Sequence, residues 1–148
     1  MIERSKIYSY FLVICQFTCI ALLVYFNHSN FIEAPSSFFF IVGIAFFVYI
    51  MLTNNINNFN IIPEIKKEAT LVTRGAYRYI RHPMYFGILI LMFPPLINTI
   101  STFNLSIYTF LALVLILKAK KEEQLWENSS QEYVQYKKRT KMIIPFVI

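Results

Sequence analysis

The sequence predicts an all-α protein embedded in a membrane, with about four membrane-spanning helices in a single domain that covers residues 1–148. Three observations support this fold class. Apolar residues make up 57% of the chain and charged residues only 15%, whereas an average soluble protein carries about 25% charged residues. The charges are clustered, so that long stretches carry none. The uncharged stretches approach the roughly 20 apolar residues that a membrane-spanning helix needs.

The predicted membrane spans are the four apolar stretches at residues 7–26, 36–53, 84–100 and 105–117. The first is long enough to cross a bilayer, and the second is slightly short but uncharged. The last two are shorter and are joined by an uncharged link at residues 98–104, which predicts a tight helical hairpin. Pro94 and Pro95 should kink the third helix or end it early, because proline removes a backbone hydrogen bond and clashes with the preceding turn.

All the basic residues fall on one side of this predicted topology. With four spans, both termini and the loop between the second and third spans share one side, and these segments hold all 14 Lys and Arg residues. The opposite loops carry only Glu33 as a charged residue. Because cytoplasmic segments of membrane proteins are enriched in Lys and Arg, we expect both termini in the cytoplasm, with residues 118–146 as a cytoplasmic helical tail. In a prokaryote the membrane would be the plasma or inner membrane.

The net charge and the cysteines constrain the partners of the chain. A net charge of +6 suits a surface that faces anionic lipid, so membrane lipid is an expected partner. No nucleic acid is expected, since the basic residues follow the topology and no recognition module is visible. Cys15 and Cys19 share a helix face without a nearby histidine, so we interpret them as packing residues and expect no metal site.

The first polar and aromatic segment that could carry chemistry runs from Leu71 to Gly87. Pro83 disfavours a helical conformation at His82 and suits the first position of a helix. A helix should therefore begin at Pro83, and the N–H groups of its first turn would attract an anion. Arg81 and His82 add positive charge, and Gly87 lets a ligand approach the backbone. The alternative is that Arg81 and His82 are interfacial charges beside a belt of tyrosines.

The second segment runs from Lys118 to Phe146 and begins as a helix that leaves the membrane. Glu122 and Glu123 follow soon after the fourth predicted span. They could bind the ammonium group of a ligand, or they could pair with neighbouring lysines such as Lys118. Their spacing alone favours the ion pairs.

Each of these two segments contains a sequence motif. The first, LVTxGxYxxxRHPxYxG, is complete at Leu71, Val72, Thr73, Gly75, Tyr77, Arg81, His82, Pro83, Tyr85 and Gly87. The second is a glutamate pair, a leucine, YxxY with basic residues and a proline, at Glu122, Glu123, Leu125, Tyr133, Tyr136, Lys137, Lys138, Arg139 and Pro145. Together they resemble the signature of the isoprenylcysteine carboxyl methyltransferase family, which is related in motif to membrane phospholipid methyltransferases. The resemblance covers residues 69–146, roughly half of the chain.

The resemblance implies an enzyme that transfers a methyl group from S-adenosylmethionine, which enters from the cytosol, to a lipophilic acceptor from the bilayer. An acceptor carboxylate like that of isoprenylcysteine is the leading expectation. The implied cofactor-binding residues are Ala69, Thr70, Leu71, Val72, Tyr77, Arg81, His82, Pro83, Met84, Tyr85, Gly87, Glu122 and Glu123. The helix start with Arg81 and His82 suits the cofactor carboxylate, a glutamate suits its ammonium, and aromatic faces suit its sulfonium. The chemistry needs mainly positioning and exclusion of water.

The chain departs from the family pattern in three places. Ser129 and Ser130 stand where the family usually has Phe-Gly. The link from the glutamates to Tyr133 is one residue short, and we favour Glu122 as the cofactor-binding member of the pair. Lys118 stands where family members that methylate isoprenylcysteine have an arginine associated with the acceptor carboxylate. Lysine keeps the charge but loses the bidentate geometry, so Lys118 is the predicted acceptor-binding residue and the acceptor need not be a prenylated cysteine.

Two other functions compete with this interpretation. One is N-methylation of a phospholipid amine, but an amine should prefer acidic and aromatic neighbours, so Lys118 favours a carboxylate. The other is a non-catalytic four-helix membrane protein or small transporter, which would usually place an ionisable residue within a span; none of the four stretches contains one. A soluble Rossmann-type methyltransferase is excluded, because the chain has only three glycines and no glycine-rich loop after a strand.

Overall fold

The computed structural model describes residues 2–54, 62 and 70–147, with the side chains of residues 2–5 excepted. Its α-helices are α1 (Ile2–Asn27), α2 (Ser37–Thr53), α3 (Pro83–Leu91), α4 (Pro95–Asn98), α5 (Thr102–Ser129) and α6 (Gln131–Arg139), with 3₁₀ helices at His28–Phe31 and Gly75–Arg78. Within these described ranges there is no β-strand, only an isolated parallel bridge between Ile80 and Lys141. The expectation of an all-α fold is confirmed.

Two stretches of the described chain are long and apolar enough to cross a bilayer, Lys6–Phe31 and Thr102–Ser129. Helix α2 is also apolar but has only 17 residues. The four-span topology, the cytoplasmic tail and the positions of the termini stay predictions.

The helices pack in two pairs, α1 against α5 and α2 against α3. Leu23, Leu111 and Leu115 are completely buried in the core cluster that involves the first pair. In the second pair, a Cβ atom on Gly43 would lie only 2.9 Å from the Cα atom of Leu91. The glycine therefore allows a close approach of the two backbones, as small residues commonly do between membrane helices.

The predicted third span is divided in the structure. Helix α3 begins at Pro83, as the sequence predicts, and ends at Leu91 after nine residues. At 1.5 Å per residue this is about 14 Å, roughly half of the bilayer core. The two prolines interrupt the helix, and the short helix α4 starts at Pro95. The third predicted span is therefore not one continuous helix.

Helix α5 extends well beyond the predicted fourth span, and its last part contains the two glutamates of the second motif. Its 28 residues start after Ser101, whose side chain accepts a hydrogen bond from the backbone N–H of Asn104 at 3.1 Å. The helix continues without a break through both glutamates and ends before Ser130. Ser130 then caps α6 by accepting from the N–H of Tyr133 at 3.3 Å. This is a local role for a serine that departs from the family pattern.

Candidate active site

A cavity lies where the start of α3, the second half of α5, α6 and the segment from Thr70 to Tyr77 meet. Its volume is about 140 Å³, or about 740 Å³ when the open space at its mouth is included. The lining residues are Asn54, Thr70, Leu71, Val72, Tyr77, Arg81, His82, Pro83, Met84, Tyr85, Glu122, Trp126, Tyr133 and Tyr136. Residues from both sequence motifs therefore share one cavity.

Most of the predicted cofactor-binding residues belong to this lining. They are Thr70, Leu71, Val72, Tyr77, Arg81, His82, Pro83, Met84, Tyr85 and Glu122. Gly87 and Glu123 are outside the lining. Ala69 lies outside the described residues.

The cavity also contains residues that the sequence left without a site role. Tyr133 and Tyr136 were part of the second motif but had no assigned contact. Trp126 is four residues after Glu122 on α5, so helical spacing could have indicated it. Asn54 donates a hydrogen bond to the Tyr77 hydroxyl at 2.9 Å, and this contact across 23 positions has no signal in the sequence.

Hydrogen bonds join the C-terminal segment to the loop before α3 and so position α6, whose Tyr133 and Tyr136 line the cavity. The N–H of Arg81 donates to the carbonyl of Lys141 at 2.8 Å, and the N–H of His82 donates to that of Met142 at 2.9 Å. The Tyr136 hydroxyl donates to the carbonyl of Tyr77 at 2.5 Å. These bonds hold α6 against the first motif.

The two adjacent glutamates have different environments. Glu122 lines the cavity with its side chain 23% exposed; its Oε1 accepts a hydrogen bond from the Tyr85 hydroxyl, and its Oε2 lies 3.3 Å from His82 Nδ1. Glu123 is only 3% exposed and pairs with Arg81 Nε at 2.6 Å and Lys137 Nζ at 2.9 Å. Consecutive residues of a helix point about 100° apart, so only Glu122 is presented to a ligand.

Arg81 lines the cavity, but its guanidinium is engaged by the protein. Besides Glu123, it donates to the backbone carbonyls of Lys137, at 3.3 Å, and Thr140. Its side chain is 7% exposed. Arg81 therefore joins α3, α5 and the end of α6, and its charge is balanced within the protein.

His82 lies between the two glutamates and stacks on Tyr85, with the ring centroids 5.5 Å apart. Its Nε2 is 3.4 Å from Glu123 Oε1. Burial alone would lower the pKa of His82, but the hydrogen bonds and negative charges of Glu122 and Glu123 outweigh burial and raise this pKa above its ordinary value. The imidazole is thus held towards its cationic form.

Part of the cavity lining is aromatic. Burial raises the pKa of the Tyr77, Tyr133 and Tyr136 hydroxyls well above the ordinary value, so these phenols keep their protons. Tyr133 stacks on Trp126 with the ring centroids 5.7 Å apart. Neutral aromatic faces of this kind attract a cation.

Lys118, the predicted acceptor-binding residue, is buried outside the cavity lining. It is 2% exposed, and its Nζ donates to Gln16 Oε1 of α1 at 2.5 Å. The Nζ also lies 5.4 Å from the centroid of the Tyr85 ring. Tyr85 thus stands between Lys118 and the carboxylate of Glu122.

Comparison with known proteins agrees with this geometry. The family model of the isoprenylcysteine carboxyl methyltransferase (ICMT) family matches residues 36–127, more than half of the chain. No curated protein matches the chain. The matched region contains the first motif and the glutamate pair, and the fold brings Glu122 and several residues of the first motif to one cavity. Two helices of the chain are long and apolar enough to cross a membrane. The chain therefore belongs to the isoprenylcysteine carboxyl methyltransferase family and is a methyltransferase of the membrane.

Proposed function

We propose that the chain transfers the methyl group of S-adenosylmethionine to a carboxylate of a lipophilic acceptor, similar to isoprenylcysteine. The observation that carries this proposal is the shared cavity of the two motifs. It combines the ionisable side chain of Glu122, the start of helix α3 and a wall of tyrosines with Trp126. The cofactor has three polar features that match these groups, namely an ammonium, a carboxylate and a sulfonium.

The residues of the cavity fit the cofactor in the following way. Glu122 would hold the ammonium, because it is the carboxylate that the cavity exposes. His82 and the N-terminal end of helix α3 would hold the carboxylate. The main chain from Thr70 to Val72 would cover the cofactor. When bound, the cofactor supplies an electrophilic methyl group on its sulfonium.

The methyl transfer itself requires no general base and no covalent intermediate from the side chains. A carboxylate acceptor has an ordinary pKa of about 4 and is already ionised at neutral pH, so it needs no base before it attacks the methyl group. The protein must align the two reactants and exclude water, which are effects of positioning. The neutral phenols of Tyr77 and Tyr133 provide polar groups without adding a competing negative charge.

The acceptor site is proposed to lie towards Lys118. Lys118 is one helical turn before Glu122 on the same face of α5, and its Nζ packs over Tyr85. Its positive charge would attract an acceptor carboxylate that approaches along the apolar part of α5. Gln16 would hold the ammonium in place. An amine acceptor would gain nothing from this cation, which favours O-methylation over phospholipid N-methylation.

The proposed topology places the cofactor cavity in the cytoplasm and the acceptor in the bilayer, with four spans and both termini cytoplasmic. Cysteine labelling tests this arrangement. A single cysteine introduced at Lys141 should resist a membrane-impermeant reagent in intact cells and react after permeabilisation. Labelling in intact cells would contradict the proposed topology.

The proposed reaction is tested by incubating purified protein in nanodiscs with methyl-labelled S-adenosylmethionine and lipid extracts, followed by mass spectrometry of the products. The expected product is a base-labile methyl ester. A base-stable N-methyl product would support phospholipid N-methylation instead. Calorimetry should show cofactor binding in the micromolar range, roughly −8 kcal/mol. Lack of cofactor binding by folded protein would contradict the proposed function.

A further inference from the structure

A second cavity, the lateral groove, shares no lining residue with the candidate active site. Its volume is about 560 Å³, or about 1,010 Å³ when the open space at its mouth is included. The smaller figure lies within the range of roughly 300–1,000 Å³ that small-molecule sites occupy. The aromatic members of its lining are Phe46, Tyr49, Tyr79, Phe86 and Phe146. Among the described residues that line the groove, only Arg78 is charged.

The segment of the first motif separates the lateral groove from the active-site cavity. In the 3₁₀ helix, Tyr77 lines the cavity and Arg78 lines the groove. In the first turn of α3, Tyr85 lines the cavity and Phe86 lines the groove. The groove is therefore a separate site that depends on the same supporting segment, residues 75–86.

Two glycines of the first motif bring this segment close to α2. A Cβ atom on Gly75 would lie 2.8 Å from the Tyr49 hydroxyl, and one on Gly87 would lie 3.3 Å from the Phe46 ring. Gly75 also has a φ of +60°, a conformation that favours glycine. Tyr49 and Phe46 line the groove. These glycines thus allow the segment to pack against the α2 side of the groove.

The groove has a basic end and an apolar end. Arg78 belongs to the 3₁₀ helix beside Thr53, the last residue of α2, because Arg74 Nε donates to the Thr53 carbonyl at 3.3 Å. Phe46 precedes Thr53 by seven residues, which is about 10 Å along a helix. Residue 53 is also the end of the predicted second span. With α2 in a bilayer, Arg78 would lie at the level of the lipid headgroups and Phe46 at the level of the acyl chains.

The exposed side chains at the basic end suit a lipid. Arg78 is exposed and makes no ion pair or side-chain hydrogen bond with a described residue. Its guanidinium can donate two parallel hydrogen bonds to a phosphate. Tyr79 and Phe146 are 55% and 85% exposed, and aromatic rings of this kind are typical of the membrane interface. A soluble anion could use the arginine but would leave the apolar part of the groove in water.

We propose that the lateral groove binds an anionic phospholipid, with its phosphate at Arg78 and an acyl chain along the rings of Phe46 and Phe86. The inference goes beyond the proposed methyl transfer, because this lipid is a bound ligand and not the methyl acceptor. Since the groove and the active-site cavity share residues 75–86, the bound lipid stabilises from the groove side the segment that carries cofactor-binding residues.

The test is a lipid titration of delipidated protein in detergent micelles, followed by native mass spectrometry. The probes are phosphatidylglycerol, which carries a negative charge and no amine, and phosphatidylcholine with the same acyl chains. The unchanged protein should bind one phosphatidylglycerol more tightly than phosphatidylcholine, and phosphatidylglycerol should raise its Tm. Arg78→Gln should weaken phosphatidylglycerol binding by about 10-fold, through loss of charge-assisted hydrogen bonds.

The matched control is Arg139→Gln, which removes the same charge from an exposed position outside the groove lining. This variant should bind phosphatidylglycerol like the unchanged protein. Arg78→Gln should keep its Tm without lipid and its Kd for S-adenosylhomocysteine, the demethylated form of the cofactor. Both measurements would show that the variant is folded.

Four results would contradict the inference. Equal affinity for the two lipids, or unchanged phosphatidylglycerol binding by Arg78→Gln, would show that Arg78 selects no anion. An equal loss for Arg139→Gln would indicate general attraction to a basic surface. Displacement of the lipid by glycerol phosphate would indicate a site for soluble anions, and displacement by a farnesylated cysteine would make the groove the acceptor site. Failure to bind S-adenosylhomocysteine would contradict the proposed function alone.

Discussion

Exchanging each of the two adjacent glutamates for glutamine should produce opposite defects. Glu123 is buried and pairs with Arg81 at 2.6 Å and with the half-exposed Lys137 at 2.9 Å. Removing one partner of a buried ion pair leaves an uncompensated charge, which typically costs about 3 kcal/mol or more. We therefore expect Glu123→Gln to destabilise the fold by about 3 kcal/mol, chiefly through Arg81, since solvent screens Lys137.

Glu122→Gln should instead spare the fold and damage cofactor binding. Its side chain is 23% exposed, and the amide oxygen of glutamine can still accept the hydrogen bond from Tyr85. The lost interaction is a charge-assisted hydrogen bond to the ammonium of the cofactor, worth about 1.5–3 kcal/mol, or roughly 10- to 150-fold in Kd. The Tm without ligand should fall by less than that of Glu123→Gln, because Glu122 is more exposed and loses only its pairing with His82.

The assay measures Tm by differential scanning fluorimetry and Kd for S-adenosylhomocysteine by calorimetry, both in the same detergent. The two variants differ by one position on one helix and by the same chemical change, so each serves as the control for the other. The reasoning would be refuted if Glu123→Gln kept its Tm and lost affinity while Glu122→Gln lost Tm and kept affinity.

Three further predictions follow from individual contacts. Lys118→Ala should lower turnover of the lipophilic acceptor while it changes Kd for S-adenosylhomocysteine by less than Glu122→Gln; equal losses of cofactor affinity would contradict the proposed division of roles. His82→Ala should weaken cofactor binding. It should also reduce the pH dependence of Tm: a raised pKa in the folded state adds stability below the ordinary value of about 6.5, and this stability is lost as the pH rises through the raised value, by at most about 1.4 kcal/mol per pH unit. An unchanged pH profile would contradict the protonated state assigned to His82. Asn104→Ala should lower Tm without altering cofactor affinity, because Asn104 exchanges hydrogen bonds of 2.8 and 3.0 Å with Asn27 at the end of α5 far from Glu122; a loss of affinity would show that this end is coupled to the cavity.

The features of the protein that depend on local chemistry could be predicted from the order of its residues. The composition and the uncharged stretches indicated a helical membrane protein, and the long apolar helices agree with it. The start of α3 followed from the geometry that Pro83 imposes on itself and on His82, and the two later prolines ended that helix early. The two motifs indicated the family, which the match over residues 36–127 supports.

Which charged residues face the cavity and which pair within the protein depends on the tertiary fold. Glu122 and Glu123 are neighbours in the sequence, and the spacing left open which one a ligand could reach. The sequence also suggested that Arg81 could bind a ligand, whereas in the fold its guanidinium donates to carbonyls at the end of α6. Lys118 is separated from its partner Gln16 by 102 positions. Local backbone preferences act over a few residues and can be predicted from neighbouring positions in the sequence. Burial and hydrogen-bond partners depend instead on which distant segments the fold brings together.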